Sequence, residues 1–247
     1  MTALAVVQEH AAEAVATTGN WATEHAWLIP VLPLAAFFLI LAFGKRLPRK
    51  GTEIGIPAVG ASFALALVIL VGDYVGGGGP VVEKGLDWFP FGANLGIELG
   101  MKIDGLVAVM FLVVTLVSLM VQIYSTAYMH GDKRYTWYFA ALNLFTGSML
   151  NLVIANNLIQ LLIGWELVGI CSYLLIGHWW EEHENSSAAI KAFVTTKTGD
   201  VPFLIGIFVL FAAAKTFDIT AITHLVEGGQ ISHLTLTAAA ILLFGGA

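Results

Sequence analysis

Glu166, Lys197 and Asp200 are the residues whose types and positions could carry charge through lipid. Glu166 lies inside the apolar run from Asn157 to Gly177, with Gly164 and Trp165 just before it. A helix of about 20 residues crosses the ~30 Å hydrocarbon core, and this run has that length. The carboxyl falls near its midpoint, where inserting an acid costs roughly 2.5–3.5 kcal/mol. Two readings follow: a titrating proton or ion site, or a protonated carboxyl hydrogen-bonded to a neighbouring helix. A movable cationic partner within about 4–6 Å would let the group release and regain protons. Trp165 and Tyr173 read as packing or anchoring side chains.

Lys197 and Asp200 stand three residues apart in the next apolar segment, so they share a helix face. Taking that helix to begin near Lys191, both lie roughly two to three turns inside it, too deep for Asp200 to snorkel easily. An internal ion pair at a helix entrance is the alternative to a working charge pair. Pro202 removes a helix hydrogen bond and frees the Thr198 carbonyl. Thr195, Thr196 and Thr198 could add hydroxyls to a hydrated pocket there. The cluster His178, Glu181, Glu182, His183 and Glu184 invites a metal reading. It lacks the HExxH spacing, because Ser187 stands where the second histidine would be, and it reads as a wet acidic connection. His224 and His233 read as surface histidines of the next outer loop.

The elements that must position these residues are membrane helices. The chain has 247 residues, is 58% hydrophobic and only 11% charged, against about 25% charged in soluble domains. The net charge of −6 includes no basic stripe, so nucleic acid is not expected as a partner. One cysteine, Cys171, excludes an intrachain disulfide framework and a cysteine-ligated iron–sulfur cluster. It reads as a small packing residue. No cofactor is expected in this chain: no nucleotide loop, cluster ligands or metal site stands out.

Apolar runs of spanning length occur at about 27–43, 56–74, 105–127, 137–156, 157–178 and 191–214, with a turn at Asn156-Asn157. A last run from Leu234 to Ala247 is too short to cross, so the chain reads as stopping inside a helix, as a fragment would. The expected fold is an all-α polytopic membrane protein with six full transmembrane helices and the start of a seventh. Residues 1–26 contain Glu9, Glu13 and Glu24 but no Lys or Arg. They read as an exposed, partly helical extension rather than a signal peptide. Residues 27–247 form the transmembrane domain. Lys45, Arg46, Arg49, Lys50, Lys133 and Arg134 fall on one side if the helices alternate, and the positive-inside rule makes that side cytoplasmic. The N-terminus and the 75–104 loop then lie outside. In that loop Gly76–Gly79 and Pro80 precede Val81-Val82, and Ile97–Ile103 alternates apolar and polar residues. With Asn94 between them, an outer β-hairpin is expected. Asp104-Gly105 then caps the third helix.

Trp88-Phe-Pro, Asp104-Gly-Leu106, Asn157-Leu158, Gly164-Trp-Glu-Leu-Val-Gly169, Ser172-Tyr-Leu-Leu-Ile-Gly177 and Lys191-Ala-Phe-Val followed by Lys197-Thr-Gly-Asp200 carry a family resemblance. The chain resembles the subunit L family of bacterial proton-pumping NADH:quinone oxidoreductase, respiratory complex I, over about residues 27–247. The block 156–202 is its most specific part. The resemblance implies the N-terminal part of a fourteen-helix antiporter-like fold built on inverted repeats, with an outer β-hairpin. It also implies proton-translocation roles for Glu166, Lys197 and Asp200. The family often has arginine where Lys197 stands, and the charge is retained. The lysine that usually partners the fifth-helix glutamate would lie beyond Ala247, so Glu166 is expected here without its partner.

The resemblance further implies a location in the bacterial plasma membrane. Its partners would be the lipid bilayer and other membrane subunits of complex I, especially the neighbouring antiporter-like subunit. Proton translocation would be coupled to quinone reduction elsewhere in the complex. The alternative is the large subunit of a multisubunit sodium/proton antiporter. A third reading treats these 247 residues as a structural fragment, which alone would carry no protons.

Overall fold

The computed structural model describes residues 20–77, 79–91 and 95–247. Expectations placed on residues 1–19, on residue 78 and on Asn94 lie outside the described residues. A four-residue helix, α1 (Trp21–Glu24), leads into α2 (Leu28–Phe43), α3 (Thr52–Ile69), α4 (Gly105–Tyr128), α5 (Tyr135–Ile154), α6 (Leu158–Ile176) and α7 (His183–Ala214). Two shorter helices follow, α8 (Ile219–Glu227) and α9 (His233–Gly246). Six helices, α2 to α7, are long and apolar enough to cross a membrane, with α3 extended by a π-helical turn to Tyr74.

The six alternate in direction, four of their five connections being short and the fifth, between α3 and α4, holding a β-hairpin. The ends therefore gather on two faces, one carrying a β-hairpin and the other the Lys45–Lys50 and Lys133-Arg134 loops. The boundaries have local causes. Asp104 Oδ1 accepts the Val107 amide at 2.9 Å and starts α4. Ile154 ends α5, and Asn157 Oδ1 accepts the Gln160 amide at 2.8 Å to start α6. Gly51, at φ +105°, turns the chain into α3, a conformation that a side chain would strain.

The hairpin pairs β1 (Val82–Phe91) with β2 (Leu95–Ile103) antiparallel, from Val82 opposite Ile103 to Phe91 opposite Leu95. It lies across the bundle's end. Val82, Met101 and Ile103 join Ile29, Ile69, Phe111, Leu150 and Ile154 in one buried cluster. Polar clasps hold it there. Gln160 Oε1 accepts the Gly100 amide at 2.8 Å, Asn157 Nδ2 donates to the Glu98 carbonyl at 2.8 Å, and Lys102 donates to Thr220 at 2.9 Å.

Three expectations change. The sixth spanning helix begins at His183 rather than near Lys191, so much of the supposed 179–191 loop is helix. Its first two turns are polar but helix-permissive, and hydropathy alone passes over such residues. The 20–26 part of the supposed exposed extension is docked, with Ala22 and Ala26 buried beside Ile29 and Ile69. His224 lies on the short helix α8 instead of in a loop, and His233 begins α9.

Candidate functional site

The site forms where α6 and α7 run antiparallel. Glycines set the approach: a Cβ at Gly164 would come 2.8–2.9 Å from Leu152 of α5, and one at Gly177 would meet Ala189 of α7 at 3.2 Å. Glu166 is two residues past Gly164, about 200° around the helix, so it turns from α5 toward α7. It lies eight residues into α6, roughly 12 Å from that helix's start. Rungs of matching register join the two helices. Tyr173 and Phe193 rings pack with centroids 5.4 Å apart, and Trp165 stacks on Phe203 at 5.2 Å.

Between those rungs the Lys197 ammonium donates to Glu166 of α6 and, at 2.7 Å, to Asp200 of its own helix. Asp200 also accepts the Trp165 indole N–H at 2.8 Å. The result is an acid–base–acid row with an aromatic donor at one end. Phe193 adds a ring face 5.4 Å from the ammonium. Exposure is graded along the row: the Asp200 side chain is 9% exposed, Lys197 28% and Glu166 37%. Glu166 is the most exposed of the three side chains and Asp200 the most enclosed.

The structure brings together all three residues singled out from the sequence. Within the described residues Glu166 pairs with Lys197 across the helix interface, a different residue from the lysine expected beyond Ala247. Trp165, read as a packing residue, also serves as a hydrogen-bond donor; the only signal was its place beside Glu166. The threonines differ too. Thr195, Thr196 and Thr198 donate to Lys191, Phe193 and Val194 carbonyls of their own helix rather than into the row. Pro202 lies inside α7 and, lacking an N–H, leaves the carbonyl of Thr198, the residue next to Lys197, without its helical donor. Helix α9 closes on the same level. A Cβ at Gly199 would meet the Gly246 carbonyl at 3.3 Å, and one at Gly246 would come 2.5 Å from Phe203.

Two further polar groups sit at the bundle's ends. At the basic face Asp132 accepts the Arg134 amide at 2.6 Å and the Trp179 indole at 2.8 Å, and His178 lies 3.2 Å away. Burial opposes ionisation of Asp132, yet these hydrogen bonds outweigh it and hold the carboxyl below the usual aspartate range. His178 is thus buried, not part of a wet loop, whereas Glu181 pairs with Arg134 through bonds of 2.8 and 2.7 Å. Among the described residues no three His, Cys, Asp or Glu side chains are grouped to hold a metal. At the hairpin face Glu83 reaches Thr220 at 3.1 Å. Burial first, then the Asp218 carboxylate, pushes its pKa up.

Six apolar helices holding the Glu166–Lys197–Asp200 row between two of them define a multi-pass membrane protein with a polar site inside its bundle. Residues 155–247 match the family model described as NADH:quinone oxidoreductase/Mrp antiporter, TM, and residues 88–139 match that of the NADH-ubiquinone oxidoreductase (complex I) chain 5 N-terminus. The chain belongs to this family of antiporter-like membrane subunits. It is 39% identical over 236 residues to NAD(P)H-quinone oxidoreductase subunit 5 of the Paulinella chromatophora organellar chromatophore, covering 91% of this chain and 35% of that protein. It is also 39% identical over 245 residues to F(420)H(2) dehydrogenase subunit L of Methanosarcina mazei, again covering 91% and 35%. The chain therefore spans about a third of the length of these relatives. The fold resembles a chain of the archaeal membrane-bound sulfane sulfur reductase, with a TM-score of 0.73 at 18% identity, covering 90% of this chain and 43% of that one.

Proposed function

We propose that this chain works as an antiporter-like membrane subunit of a proton-pumping NADH:quinone oxidoreductase, with Glu166, Lys197 and Asp200 as its proton-translocating residues. The observation that carries the reading is the shared Lys197 ammonium, held by one carboxylate on each of two helices. With the ammonium at Glu166, that carboxylate is neutralised and holds no proton. When the ammonium swings fully to Asp200, Glu166 loses its counter-charge and can take up a proton in its place. Returning Lys197 expels the proton. Electrons need not enter this chain. A charge change in a neighbouring membrane subunit, above all an adjoining antiporter-like one, would drive the swing electrostatically, while quinone reduction proceeds elsewhere.

The membrane proposed is the bacterial plasma membrane. The basic face, with six Lys and Arg in its two loops, lies in the cytoplasm, and the N-terminus and hairpin lie outside. A sodium/proton antiporter subunit is the second reading, since the matched transmembrane family spans both groups. Glu166→Gln in the assembled complex tests the first. Proton pumping per electron should fall while electron transfer continues. Unchanged pumping removes Glu166 from the path, and sodium transport without electron transfer would favour the second reading.

A further inference from the structure

The basic face holds a cavity of about 630 Å³ between the loop entering α3 and the loop joining α4 to α5. Arg49, Lys50, Glu53, Ile56, Pro57 and His130 are among the residues that line it. The basic side chains of Arg49 and Lys50 are exposed. Among the described residues the Lys50 and His130 side chains make no hydrogen bond or ion pair, and Arg49 feels only the attraction of Glu53 at a distance. The Glu53 carboxylate is committed elsewhere: it accepts the backbone amides of Arg49 at 3.0 Å and Gly51 at 3.1 Å. Four cations within six residues, Lys45, Arg46, Arg49 and Lys50, outnumber it.

Helix α3 continues from the cavity as a membrane-spanning segment. Gly60 follows Ile56 by one turn on the same face of α3, and a Cβ built there meets nothing within 4 Å. Gly60 lies eight residues into α3, so this open position is roughly 12 Å along the helix from its start. A cavity lined by Arg49 and Lys50 at the end of a membrane helix, with Ile56, Pro57 and the open position at Gly60 further along that helix, matches one chemistry, a phosphate diester carrying acyl chains. We infer that this cavity binds an anionic phospholipid, its headgroup phosphate at Arg49 and Lys50 and one acyl chain against Ile56, Pro57 and Gly60.

Photolabelling tests the site in the assembled complex. The complex is placed in phosphatidylcholine nanodiscs with a trace of phosphatidylglycerol carrying a diazirine on one acyl chain. Peptides containing Ile56–Gly60 should be labelled in preference to labelling by the matching photoreactive phosphatidylcholine. Arg49→Gln and Lys50→Gln alter exposed side chains and should each lower that labelling about fivefold, the worth of one basic residue near an anionic surface. Gly60→Leu fills open space and should lower it about tenfold without changing the phosphatidylcholine background. Equal labelling by the two lipids, or labelling indifferent to all three substitutions, would overturn the site. Displacement of the label by millimolar inorganic phosphate would overturn the lipid assignment in favour of a free-anion pocket.

Discussion

The ammonium of Lys197 bridges Glu166 on the facing helix and Asp200 one turn along its own. Near the middle of a membrane bundle such an arrangement has two stable-looking extremes, one for each carboxylate. Their different exposure makes the extremes unequal. This inequality is what a proton-transfer site requires, since only one of the two acids should exchange readily.

Removing the bridge tests its importance directly. Lys197→Ala leaves two facing carboxylates without their cation and should lower thermal stability by about 3 kcal/mol, the low end for breaking a buried pair because the row is partly exposed. Pumping should stop. Lys197→Arg keeps the charge and should restore most of the stability, measured as the unfolding midpoint of the complex in detergent.

Trp165→Phe separates packing from hydrogen bonding. The stack on Phe203 survives, but Asp200 loses its indole donor. A hydrogen bond to a charged group contributes about 1.5–3 kcal/mol, so Asp200 becomes a weaker anchor for Lys197. Pumping per electron should drop with the complex still assembled. Wild-type pumping would mean that Trp165 only packs.

The hairpin clasp has its own weak point at Gly100. A Cβ there would overlap the Asn156 amide group on all three of its outer atoms. Gly100→Ala should therefore displace Asn156, loosen β2 from the start of α6 and cost roughly 1–3 kcal/mol. Faster hydrogen exchange in residues 95–103 and 156–160 is the expected readout.

Two carboxyls should respond to pH with opposite signs. Asp132 has a depressed pKa, so its contribution to stability is present above the usual aspartate range and is lost as pH falls through the lower folded value. Acidification should loosen the 129–134 and 177–182 loops, and Asp132→Asn should remove that acid sensitivity. Glu83 has a raised pKa, so folding is favoured below the usual glutamate range and weakens as pH rises through the higher folded value. Mild acid should tighten the hairpin against α8, and Glu83→Gln should make it insensitive to pH there. Hydrogen exchange across a pH series distinguishes the two directions.

Much of this protein can be read along the chain because lipid imposes strong one-dimensional rules. Runs of about 20 apolar residues, basic loops on alternate connections and a turn at Asn156-Asn157 locate the helices, since a spanning segment must satisfy its own backbone. Glu166, Lys197 and Asp200 stand out for the same reason: each is a costly residue where the rules call for an apolar one. What the chain order hides is contact between separate helices. That Lys197 joins Glu166, that Trp165 donates to Asp200 and that β2 clasps the start of α6 depend on helix rotation and register. Glycine approaches at Gly164 and Gly177 set that register in three dimensions. Polar helix is hidden too: the start of α7 carries no hydropathic mark, and only the folded chain shows where it begins. The sequence by itself determined which charges enter the membrane, because the hydrocarbon makes each one expensive. The tertiary structure decided which charge meets which, because pairing is a matter of distances between helices.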